Sequence, residues 1–269
     1  MNNIINHFWI KKIFSNWIII LLVTVLYAIT GYMGLFFATP PGYATAIWIP
    51  SGLALGVVLV WGLRILPGVF LGSLITNFYI STQYGITYPT LNSLIIGIAV
   101  GIGATLQAMA GWYLIKKWVG LDNLLNDPND ILLFALFAGP VSCLFNTTWS
   151  NSALLLLGVL PFNNYFISWV TWWIGDSIGV LIFTPIFLIL FAKPERVWRQ
   201  RIIPIFPLLS ISFIVVVLAY LVIYFSELKD AKSNFEQTVN TALFQIEHQI
   251  DHATIHEPTK KLIIAEKLE

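Results

Sequence analysis

The chain has 269 residues, of which 58% are hydrophobic and only 10% charged, and its mean hydropathy is +0.81. A soluble domain of this size has no use for so much apolar surface, so the composition indicates a polytopic membrane protein. The net charge of +1 hides a strongly uneven distribution, and the single cysteine, Cys143, excludes a disulfide framework.

The first segment, residues 1–16, carries Lys11 and Lys12 ahead of an apolar run from Trp17 to Ala38. That run is too long for the apolar core of a signal peptide, and no small-residue cleavage site follows it, so it reads as the first transmembrane helix. Seven apolar segments of spanning or near-spanning length are expected, at 17–38, 46–63, 65–81, 91–115, 131–158, 164–191 and 203–225. Turn signals separate them, among them Thr39-Pro40-Pro41-Gly42, Tyr84 to Pro89, Leu121 to Asp130 and Gly158 to Asn164. The second segment opens Ile47-Trp48-Ile49-Pro50-Ser51-Gly52, with proline suited to a first helical turn and Trp48 suited to the external interface. Glycines pair four apart at Gly52/Gly56, Gly68/Gly72, Gly97/Gly101 and Gly175/Gly179, and the fourth segment carries a stripe from Gly97 through Ala104 and Ala108 to Gly111. Such stripes let helix backbones approach closely in lipid, within one chain or across a homodimer seam.

The fifth segment is polar midway, at Cys143, Asn146, Thr147, Thr148, Ser150 and Asn151, and Gly139-Pro140 ahead of it is expected to kink it. These groups suit interhelical hydrogen bonding or the lining of a cavity. The sixth segment holds Asp176, the only acidic residue between Asp130 and Glu195. A carboxylate at membrane depth costs roughly 2.5–3.5 kcal/mol on insertion scales, so it must face a partner, a cavity or a water-filled path. No Lys or Arg lies at comparable depth, and the carboxyl is expected in the bundle interior, sharing hydrogen bonds with Asn146, Thr147, Ser177 or a ligand. It serves either as a structural tie or as part of a recognition site. Candidate ligand or sensing residues are therefore Asp176, Trp173, Ser177, Asn146, Thr147, Trp48 and Ser51.

From Ser226 the composition turns polar, and apolar residues recur at spacings of three and four at Phe235, Val239, Ala242, Ile246, Ile250 and Ala253, the pattern of an amphipathic helix. His248, His252 and His256 share one helical stripe there, which reads as a solvated face with no metal. The fold class is thus an all-α membrane bundle of seven helices, eight if the fifth segment splits, followed by an amphipathic extracytoplasmic helix. The divisions are 1–16, 17–225 and 226–269, the last expected to be the start of a longer domain.

Two motifs together resemble the MASE1 domain, a bacterial integral-membrane sensory module. They are Trp48-Ile49-Pro50-Ser51-Gly52, and Trp173-Ile174-Gly175-Asp176-Ser177-Ile178-Gly179 followed by Thr184-Pro185. The resemblance covers about residues 17–225. It implies a module at the N-terminus of sensor histidine kinases, diguanylate cyclases and phosphodiesterases, often followed by an extracytoplasmic CHASE domain, which the tail from Ser226 resembles. The family is usually described with about eight helices, against seven counted here. The expected function is sensory input or anchoring for a signalling protein of the bacterial inner membrane. The alternatives are a small-molecule carrier or substrate-binding membrane component, and a purely structural anchor. Neither a P-loop, HExxH nor GxSxG motif occurs, so no catalytic module, cofactor or metal is expected in this chain. Expected partners are the lipid bilayer, a small-molecule or membrane-protein stimulus and a second copy of the chain, with no nucleic acid.

With a cytoplasmic N-terminus, the cytoplasmic loops receive Lys11, Lys12, Arg64, Lys116, Lys117, Lys193, Arg196, Arg199 and Arg201, and the short external loops receive no Lys or Arg. Reporter fusions after Lys117 and after Phe225 should therefore report opposite sides of the membrane, and the same side for both contradicts this topology.

Overall fold

The computed structural model describes residues 2–35, 45, 47–83, 91–120 and 128–194, together with 214, 229, 232–233 and 235–246. Its regular elements are helical: α1 (Asn2–Gly34), α2 (Ile49–Trp61), α3 (Leu66–Gln83), α4 (Leu91–Trp118), α5 (Pro128–Leu136), α6 (Ser142–Leu156) and α7 (Tyr165–Phe191). In lipid only closed hydrogen-bonding patterns survive, and a helix satisfies its backbone internally. Among the described residues, five stretches are long and apolar enough to cross a membrane: Asn16–Gly34, Leu63–Thr82, Leu91–Trp118, Asn129–Leu156 and Phe162–Phe191.

Three expectations need correcting or narrowing. The second segment is not a full span, because α2 has 13 residues and so rises about 20 Å against a hydrocarbon core of about 30 Å. The fifth segment does not split. Between α5 and α6 lies a π-helical turn, Phe137–Val141, that contains Pro140. A wider turn absorbs the missing proline N–H without ending the helix, so Asn129–Leu156 runs as one 28-residue stretch. The expected seventh segment, 203–225, lies outside the described residues except Ile214, and the histidine stripe at 248–256 lies wholly outside them.

Neighbouring helices show their relative directions through the residues that meet. Gly68 approaches Ile20 and Val23, Gly72 approaches Tyr27, and Gly31 approaches Thr76, so α1 and α3 run the same way. Gly97 meets Leu74 while Gly101 meets Phe70, so α3 and α4 run oppositely. Gly103 meets Asn146 and Ser150, and Gly111 meets Ser142, so α4 and α6 are also opposed. The Trp48 N–H donates to Gly175 O at 3.0 Å, Thr184 Oγ1 donates to Gly52 O at 3.0 Å, and Gly56 packs on Phe187, so α2 and α7 are parallel. The chain therefore alternates direction at each connection. This brings Arg64, Lys116, Lys117 and Lys193 to one end of the bundle, where Lys116 Nζ sits 4.8 Å from the ring centre of Trp112.

Seven of the eight paired glycines, all but Gly175, thus approach a neighbouring helix of the same chain. The tightest approach is between α2 and α7, where a Cβ on Gly52 would run into Gly179 O, and one on Gly179 into Trp48 O and Ser51 Oγ. With hydrophobic association weak inside lipid, such backbone contact is what holds a short helix to a long one. Below it lies an apolar layer in which Leu55, Ile115, Phe134, Ala138, Cys143, Val180 and Leu188 pack together.

Residues 217–269 form a separate unit, and 235–246 within it are helical and exposed, as the three-four spacing predicts. Lys232 and Glu236 approach to 4.0 Å across one turn there.

Because the Trp48 carbonyl oxygen and Ser51 Oγ stand where the methyl of Gly179→Ala would go, that substitution should lower unfolding stability in detergent by about 1–3 kcal/mol. Ala at Gly62, which has no neighbour within 4 Å of its missing Cβ but a φ of 81° with a ψ of 179° that is essentially reserved to glycine, should cost about 1–3 kcal/mol through backbone strain alone. Wild-type stability for Gly179→Ala contradicts the close α2–α7 contact.

Candidate functional site

The chain reaches α2 as non-helical backbone buried in the bundle. Thr45 is 5% exposed and Ile47 1% exposed, and the Trp48 ring lies against Gly34 of α1. Irregular backbone at such a position is tolerated only when buried in protein or lining a cavity. Here it does both. Trp48 is therefore not the free interface anchor that its sequence context suggests; it caps a helix that starts alongside the middle of α7.

Pro50 in the first turn fits this start, since an N–H there has no helical acceptor. Ser51 Oγ lies 2.7 Å from Trp48 O and 2.9 Å from Asp176 O, sharing one proton between two carbonyls. The Gly175 carbonyl accepts the Trp48 N–H through its second lone pair. Ser51 thus ties α2 to the backbone of α7 and does not touch the carboxyl of Asp176.

That carboxyl is buried, with Asp176 only 3% exposed. Asn146 Nδ2 of α6 donates to its Oδ2 at 2.8 Å, and Asn146 Oδ1 in turn accepts from Ser150 Oγ at 2.7 Å. Gln107 of α4 is a second polar side chain beside the carboxyl. Three helices thereby converge on one acid. A hydrogen bond to a charged group contributes about 1.5–3 kcal/mol, which is of the order needed to offset insertion at this depth.

Of the partners expected for Asp176, only Asn146 meets it. Thr147 is fully buried, but its Oγ1 has no partner, and Ser177 Oγ has no oxygen or nitrogen partner, with Cys143 its polar neighbour. Each sits one residue along the helix from a member of the pair, and a step of 100° turns it away. Gln107 Oε1 is likewise buried without a partner. Trp173 also turns away from the carboxyl. Its Nε1 donates to Pro140 O at 2.8 Å, taking a carbonyl at the π-helical turn, and its ring stacks on Trp169 at 6.0 Å.

The neighbouring Trp172 faces the site instead. A cavity of about 40 Å³ is lined by Tyr27, Thr45, Trp48, Asn77, Ile80, Val100, Asn146, Trp172, Gly175 and Asp176. At 10–15 Å³ per water it has room for about three water-sized groups. Ile80 in the last turn of α3 and Thr45 ahead of α2 place it toward the end opposite the basic residues. On the other side of Asp176 the apolar layer closes the bundle.

Tyr27, Asn77 and Gln107 had no place in the sequence reading of the site. The signal for the two amides was present, since each is a lone polar amide inside a spanning segment. The small-residue stripes on the same helices drew attention to packing. Tyr27 gives no such signal, because it lies near the middle of the apolar first span and carries neither a charge nor an amide.

Among known proteins, the model of the MASE1 family matches residues 17–231. No curated protein and no solved structure matches.

Proposed function

The chain belongs to the MASE1 family, a membrane-associated sensory domain found in signalling proteins, and we propose on that footing that it is the input domain of a bacterial signal-transduction protein, with Asp176 at the sensing site. The observation that carries this is a single buried acid on the floor of a small cavity, hydrogen-bonded to Asn146 of α6 with Gln107 of α4 beside it, and with an apolar layer beneath it. A pocket with a closed floor receives a stimulus and does not conduct it. The three unpartnered polar atoms beside the pair point the same way, because each costs about 1–3 kcal/mol, a penalty that packing alone gives no reason to keep.

In this proposal the basic end of the bundle faces the cytoplasm and the cavity faces outward, following the positive-inside rule. A stimulus at Asp176 acts on α6 through Asn146 and on α2 through the α7 backbone. The resulting helix displacement passes toward an output module, a histidine kinase or an enzyme of cyclic-di-GMP turnover. A CHASE-like segment beginning near Ser226 belongs to the same proposal, supported by the exposed helix at 235–246.

The test is a pair of substitutions in the signalling protein that carries this domain. Asp176→Asn keeps the shape and most hydrogen bonds, so the variant should fold while its output changes. Asp176→Leu should disrupt folding or output. If expression, thermal stability and output all stay at wild-type level in Asp176→Leu, the site is wrongly assigned. Lower stability with unchanged output per folded molecule means that Asp176 is a structural tie only.

A further inference from the structure

The chemistry of the cavity wall selects the kind of molecule that fits it. We infer that the cavity binds a small ammonium-type cation, the ammonium ion or the head of a short primary amine, with the Asp176 carboxylate as its counter-charge. This rests on the reading of Asp176 as the sensing site and names the class of ligand.

The amide and carboxyl groups of the wall are biased toward accepting hydrogen bonds. Asn77 Nδ2 is committed to Ser73 O at 2.9 Å and to Ser73 Oγ at 3.3 Å, which leaves its carbonyl oxygen as the free end of the amide. Asn146 Nδ2 is committed to Asp176 itself. Both amide donor groups on the wall are therefore already engaged, while the carboxyl, the Asn77 oxygen and the hydroxyls of Tyr27 and Thr45 can accept. Among the described residues no Lys, Arg or His lines the cavity, so an anion finds neither a counter-charge nor a free amide donor from them. Pro50 removes one of the backbone N–H groups with which the start of α2 would otherwise favour negative charge.

The remaining wall is aromatic. Trp48, Trp172 and Tyr27 line the same small space, and aromatic faces attract ammonium groups. A bare alkali ion needs a nearly complete oxygen shell, which a wall shared with two indoles does not provide. Transition metals are disfavoured too, because the described residues contain no group of three His, Cys, Asp or Glu side chains able to hold one. The volume agrees: methylammonium has two heavy atoms, and a space of about 40 Å³ takes about three water-sized groups. A bound cation also removes the electrostatic problem of an acid at membrane depth with no basic partner.

The experiment is the thermal unfolding midpoint of the whole chain in detergent, titrated with methylammonium, ammonium, potassium, sodium or tetramethylammonium chloride at constant total chloride. A ligand that binds only the folded state raises the midpoint saturably. The expected result is a saturable rise with methylammonium and ammonium, and none with sodium or tetramethylammonium. Asp176→Asn should abolish the rise or shift half-saturation at least about ten-fold, corresponding to one lost ion contact. Trp172→Leu should weaken it about two- to five-fold, and it serves as the binding test if Asp176→Asn does not fold. No saturable rise in the wild type overturns the proposal, as does an equal rise with sodium or an unchanged rise in both variants. An Asp176→Asn protein that loses signalling while the wild type shows no ammonium response sinks the cation and leaves the sensory reading standing. Saturable binding together with normal output from Asp176 variants does the reverse.

Discussion

A carboxylate cannot sit inside a bilayer without partners, and much of this bundle is arranged around supplying them to Asp176. Asn146 from α6 and Gln107 from α4 reach its side chain. Ser51 and the Trp48 N–H bind the backbone of α7 at the same level. For that to happen α2 must begin alongside the middle of α7 and not at the membrane surface, which is why it has 13 residues. The missing length is made up by buried irregular chain around Thr45 and Ile47. Gly52 and Gly179 follow from the same demand, since no side chain fits where the two backbones meet.

This arrangement gives a sensory reading a physical basis. A site shared by α4, α6 and α7, and braced by α2, changes the relations of four helices when its occupancy or charge changes. The α2–α7 contact is held by backbone carbonyls and glycines, so a shift of α7 must be followed by α2. In the proposed function, the apolar layer below Asp176 leaves displacement of the helices as the output.

Much of the fold was legible from residue types. The isolated acid in an apolar segment, the one-sided Lys and Arg, and the glycine pairs each reflect a free-energy term large enough to act alone. The short α2 was not legible, because the run around Ile47 to Ile49 is as apolar as the helix it precedes. Hydropathy cannot tell buried irregular chain from the first turn of a span. The exchange of Trp173 for Trp172 at the cavity turns on a single 100° step along α7, which sequence periodicity does not phase that finely. Pro140 signalled a break, yet the π-helical turn and the Trp173 bond to Pro140 O accommodate it. Such local repair depends on a partner 33 residues away in the chain.

The central claim is that the Asp176–Asn146 hydrogen bond joins α6 to α7 at the floor of the cavity. A double-mutant cycle tests it most directly, with Asp176→Ala and Asn146→Ala measured singly and together by reversible unfolding in bicelles. The account predicts a coupling energy of about 0.6–2 kcal/mol, the range for polar contacts between membrane helices. Effects that add to within about 0.3 kcal/mol would show that the two side chains do not act on one another, and would contradict it.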